Sequence, residues 1–155
     1  MIFNSKRFSV DFILQMVGIL LGFLVATITA ACSGMYIMAN AGFYWLSQVI
    51  VLGVLACLNP SKAVIGGVAI GLGCYLAAFA IWLFSSSHPE SMTWLFYLFS
   101  LPGALIGGCT AHFLVSRLKP LTSINTAFMA FGLTIAGVAV NQALIWFAIF
   151  YQKGK

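Results

Sequence analysis

Long uncharged apolar runs set the tightest limit on what this chain can become. No Asp, Glu, Lys or Arg occurs between Asp11 and Lys62, Lys62 and Glu90, Glu90 and Arg117, or Lys119 and Lys153. Coiled as helix, about 20 apolar residues match the hydrocarbon thickness of a bilayer. Membrane strands would instead alternate apolar and polar residues in short segments, and that alternation is absent. The chain of 155 residues is 63% hydrophobic and 6% charged, too little charge to clothe a water-soluble surface. The expectation is an all-α integral membrane protein, one bundle of about five transmembrane helices. No polar linker is long enough to split residues 1–155 into two domains.

The spans read as residues 12–34, 44–58, 63–84, 93–116 and 124–151. Met1 to Val10 is a polar start, with Arg7 and Asp11 spaced for a helical ion pair. The first apolar run exceeds the usual 7–15 residues of a cleaved signal core, so it is expected to remain as a span. Ser33 to Phe43 reads as a turn or interfacial segment, which leaves the second span short for the core. Asn59 is expected to cap the third helix, with Pro60 in its first turn. Pro102-Gly103 predicts a kink or local unwinding within the fourth span.

The balance of seven Lys/Arg against two Asp/Glu sets orientation. Basic residues favour the cytoplasmic ends of spans. A cytoplasmic N-terminus places Lys6, Arg7, Lys62, Arg117 and Lys119 inside and, after five crossings, Lys153 and Lys155 outside. This fits the inner (plasma) membrane of a bacterium. Nucleic-acid binding is not expected, because the basic residues form no aromatic-interleaved patch.

Small residues carry the clearest pattern. Gly18, Gly22, Ala26, Ala30 and Gly34 recur at every fourth position, which makes one stripe on a helix. Such stripes let two backbones approach closely in lipid. Gly66, Gly67, Gly71, Gly107 and Gly108 are further packing candidates. Gly71 and Gly107 lie equally far from Pro89, as do Gly67 and Ala111, and Gly66 and His112. The expectation is a hairpin of the third and fourth spans with small residues level across it, and Gly66 leaving room for the His112 ring or a small ligand. Ala63-Val64-Ile65-Gly66-Gly67 is echoed by Ala104-Leu105-Ile106-Gly107-Gly108, at a different place in its span. Shared packing chemistry explains this better than a duplicated helix pair.

Chemistry is sparse. No nucleophile has a His and an acid arranged beside it, and no nucleotide loop is present, so no catalytic residue is assigned. No metal site or cofactor is expected: His88 and Glu90 are too few ligands, and Cys32, Cys57, Cys74 and Cys109 stand apart. Polar residues within spans are the remaining candidates for a ligand or proton site. These are His112 and Gln15 toward the inner end, and Gln48, Asn141 and Gln142 toward the outer end. Thr27, Thr29, Thr110 and Thr134 are expected to bond their own helices.

Two classes of function follow. One is a non-catalytic membrane protein that binds a partner in the bilayer, as an accessory subunit or an immunity-type protein, or that self-associates. The other is a small-solute transporter or channel, acting singly or as an oligomer, with a polar path at Gln48, Asn141, Gln142 and His112.

Overall fold

The computed structural model describes residues 5–32, 37–85, 94–118 and 121–153, and every regular element among them is helical. The helices are α1 (Ser5–Cys32), α2 (Ile37–Ala56), α3 (Lys62–Ser85), α4 (Trp94–Leu98), α5 (Leu101–Arg117) and α6 (Ser123–Lys153). Four stretches are long and apolar enough to cross a membrane: Val10–Cys32, Lys62–Ser85, Leu95–Arg117 and Ser123–Ala148. The helix at the expected second span, 44–58, is longer than that range, and its stretch Asn40–Ala56 is apolar but shorter than these four. Helix α2 starts at Ile37, because Ile37 to Gly42 continues the helix where a turn was expected, and its 20 residues rise about 30 Å.

The α2–α3 junction corrects the expected cap. Asn59 has φ of 51°, the left-handed conformation that ends helices and that Asn tolerates. It therefore belongs to the close of α2, where its N–H donates to Ala56 O at 3.0 Å. Ser61 caps α3 instead, its Oγ accepting from Val64 N at 3.3 Å. The Arg7 side chain lies outside the described residues, so the Arg7–Asp11 pair does too.

Helix α3 is the centre of the molecule, with α1 on one side and α6 on the other. Helix α6 in turn packs on α5, α2 packs on α1, and α2 also meets α5 and α3. Glycine makes these contacts close enough to be backbone on backbone. A Cβ on Gly18 would lie 2.5 Å from Gly66 O, and one on Gly66 would lie 2.5 Å from Leu14 O. A Cβ on Gly73 would lie 3.2 Å from Gly22 Cα. Ala26 and Ala30 continue the α1 stripe into a buried cluster with Tyr44, Leu76, Phe79 and Tyr97. Gly34 lies outside the described residues.

The expected hairpin partnership is not what forms. Gly67 faces Ala127 and Ala130 of α6, and a Cβ on Gly71 would lie 3.3 Å from the Thr134 side chain. Gly107 faces Leu133 O and Thr134 Cα, and Gly103 and Gly137 face each other's backbone. Helix α6 therefore lies between the two glycine rows. It fits because Ala127, Ala130, Thr134 and Gly137 are small or compact. The levels were right: Gly71 and Gly107 both meet Thr134, from opposite sides. What α3 and α5 share directly is a small seam, where a Cβ on Gly108 would lie 3.4 Å from the Val68 side chain.

The two Gly-Gly pairs now have a common reason. Adjacent helix positions point about 100° apart, so a pair serves two neighbours at once. Gly66 faces α1 while Gly67 faces α6; Gly107 faces α6 while Gly108 faces Leu55 and Val68.

Helix α5 is separated from α4 by a break at Phe99–Ser100, one turn before Pro102. The position follows from proline chemistry. Pro102 has no N–H to give to Leu98 O, and its ring clashes with a carbonyl four residues back. The disruption falls on the preceding turn, and Pro102 sits comfortably in the first turn of α5.

Candidate functional site

The break frees backbone carbonyls, and polar side chains take them up. Ser100 N–H turns to Tyr97 O at 3.1 Å instead of reaching Phe96 O. Gln142 Nε2 donates to Phe96 O at 2.9 Å, and the Asn141 amide donates to Phe99 O. Ser100 Oγ donates to Tyr97 O at 2.6 Å. In an apolar surrounding an unpaired carbonyl is costly, so neighbouring helices supply donors where a helix is broken. Asn141 and Gln142 are thus the clasp that holds α6 against the break.

Gln142 also donates from Nε2 to Tyr75 Oη at 3.0 Å. Ser100 is the other side-chain partner of the Tyr75 hydroxyl. This bridge forms the floor of a slot of about 400 Å³ between α3 on one side and α4 and α6 on the other. Ala78, Phe79 and Trp82 line the α3 wall, and Phe96 and Trp146 line the opposite wall. Phe96 and Trp146 stack at 6.2 Å with a 12° interplanar angle. Phe79 and Trp82 pack at 5.9 Å and 44°. Tyr97 stacks on Tyr75 at 5.8 Å and meets Tyr44 edge-on at 5.6 Å. Its phenol oxygen is buried without a hydrogen-bond partner among the described residues.

The slot combines rings from three helices with one amide, one phenol and two indole N–H groups. Other hollows differ. One of about 260 Å³ between Leu14, Ile70, Cys74 and Phe128 is wholly apolar in its side chains apart from the Cys74 thiol. One of about 200 Å³ at the opposite end gathers Asp11, Ser61, Ser123 and Thr126, near the first turns of α3 and α6. Helix N-termini favour a negative charge, which gives the Asp11 carboxylate a structural place.

The chain matches no known protein family, no curated protein and no solved structure.

The sequence candidates separate into two sets. Gln142 and Asn141 join the clasp, and Gln142 lines the slot. Gln48 is fully buried and its Nε2 donates to Gly22 O at 2.9 Å, tying α2 to α1. Its Oε1 lies against Gly22 and has no hydrogen-bond donor. His112 and Gln15 make no side-chain hydrogen bond with any described residue; the His112 ring packs on Phe113 at 5.3 Å. The room expected beside Gly66 is filled by the α1 backbone at Leu14 and Gln15. Thr27, Thr29, Thr110 and Thr134 each donate to the carbonyl four residues back.

Tyr75, Phe79, Trp82, Phe96 and Trp146 were missed as site residues. Aromatic residues are spread through this chain, so their presence alone marks nothing. A usable signal was spacing: Tyr75, Phe79 and Trp82 fall at i, i+4 and i+7, one face of a helix.

Proposed function

We propose that this is a multi-pass membrane protein that acts without catalysis, by binding a second component of the bilayer in the aromatic slot. Support for the membrane comes from its outer surface. Leu20, Ile81, Phe128 and Phe147 are each about 70% exposed, at 69, 70, 69 and 71%. Large apolar side chains this exposed around a helical bundle fit lipid as the solvent. Helices α1, α2, α3, the α4–α5 pair and α6 then make five crossings, with the N-terminus cytoplasmic and the C-terminus outside. A bacterial inner membrane fits the distribution of basic residues.

The slot carries the reading. Elsewhere the in-span amides hold helices together, whereas here Gln142 both closes the clasp and faces a ring-lined space. The transporter alternative rests on Gln48, Asn141, Gln142 and His112. It draws on the unpaired Gln48 Oε1, but the amide nitrogens of the other two side chains are spent on carbonyls. Gentle purification into nanodiscs decides between them. A binding protein retains a stoichiometric partner, loses it with Trp82→Ala/Trp146→Ala, and moves no solute in liposomes. Solute flux abolished by Asn141→Leu or Gln48→Leu establishes the transporter instead.

A further inference from the structure

We infer that the slot takes a flat, ring-bearing amphiphile that donates a hydrogen bond, of the phenol or hydroquinone type, with its tail left in lipid. This rests on the slot being the binding site, and it names the class of occupant.

The walls argue for a ring. Phe96 and Trp146 are already at stacking distance from each other, and Phe79 and Trp82 are in contact too. A ligand therefore lies between the two pairs rather than inside either. A planar ring there meets aromatic faces and edges on both sides, an arrangement that gains more than its buried area alone. A volume of about 400 Å³ holds one ring and the first part of a chain.

The floor argues for a donor. Phe96 O can only accept, so the group that bonds to it is the NH₂ of Gln142, which fixes the orientation of the amide. Both bonds made by Gln142 are from Nε2, to Phe96 O and to Tyr75 Oη. No described group donates to its Oε1. The Tyr75 hydroxyl accepts from Gln142. Of the amide and the phenol at the floor, the function left to a ligand is the Gln142 Oε1 acceptor, which a hydroxyl or N–H satisfies; the indole N–H groups of Trp82 and Trp146 also belong to the lining. Among the described residues no carboxylate lines the slot.

The test uses the full-length protein in phosphatidylcholine nanodiscs, titrated anaerobically with decylhydroquinone while tryptophan emission is followed. The Trp82→Phe/Trp146→Phe variant keeps Trp45 and Trp94 and reports quenching by ligand merely dissolved in the bilayer. Saturable quenching above that baseline is expected. The dimethyl ether of the same molecule, which has lost its donors, should bind about tenfold more weakly, equivalent to about 1.4 kcal/mol. Gln142→Leu should reduce hydroquinone affinity to the level of the ether. Equal affinity of hydroquinone and ether for the wild-type protein overturns the donor requirement without recourse to any variant. Displacement by methyl decanoate as effective as by hydroquinone means an acyl-chain groove, and overturns the ring while leaving the slot. If none of the three binds saturably, the slot reading itself falls.

Discussion

Gln142 and Gln48 are both amides in apolar helices, and the structure predicts different costs for losing them. Gln142 pairs a carbonyl that the α4–α5 break has stripped of its helical donor. Gln142→Leu leaves Phe96 O unsatisfied and should cost about 1–3 kcal/mol. Gln48 donates to Gly22 O, in the middle of the continuous α1, and carries an unpaired oxygen of its own. Gln48→Leu removes both the bond and the orphan, so it should change stability by no more than about 1 kcal/mol. Thermal unfolding in one detergent compares them; an equal or larger loss for Gln48→Leu contradicts the clasp. In the sequence the two looked alike, because an amide amid apolar residues announces polarity but not its partner. The slot rings were less legible still, since a Phe or Trp in a membrane helix is as often lipid-facing as buried. Trp82 and Trp146 became site residues only once α3 and α6 were placed side by side.

The glycines of α3 and α6 divide by what stands opposite them, which tests the packing of the two helices directly. A Cβ at Gly67 would strike the α6 backbone at Ala127, which cannot swing aside as a side chain can. Gly67→Ala should destabilise by about 1–3 kcal/mol, the cost of overpacking. Gly132, within α6, has nothing within 4 Å of the added atom. Gly132→Ala should therefore stabilise by up to about 1 kcal/mol through helix propensity alone. Unfolding midpoints that move the same way for both would contradict the placement of α6 against α3. At this scale much was readable. The uncharged runs located the helices, the α1 stripe held against α3 at Gly18 and Gly22, and Pro102 announced the break. The partner of the α3 glycines was not readable, because a small residue permits close approach by any helix and names none. Distance from Pro89 gave the correct level and the wrong neighbour: Thr134 of α6 occupies the place expected for the facing glycine.

The whole molecule turns a soluble protein's surface inside out. Glycine and alanine fill the interior, where α3 contributes Ala63, Gly66, Gly67, Ala69, Gly71 and Gly73 to the buried set. Leu, Ile and Phe cover the outside. In lipid this is economical: apolar surface gains nothing by hiding, so stability comes from backbones packed closely and from amides closing the gaps. The slot lies toward the end of α3 away from Lys62, level with Gln142 and Trp146 of α6. In the proposed orientation, with the N-terminus inside, that end would face outward and the slot would open to the outer half of the bilayer. The leaflet to which the slot opens depends on five crossings in alternating directions. The most direct measurement is the side of the membrane on which Lys155 lies, read with one reporter active only outside the cytoplasm and one active only within it. Fused after Lys155, the outside reporter should be active and the cytoplasmic reporter silent; the reverse would contradict the five-crossing arrangement and remove the slot from the outer leaflet.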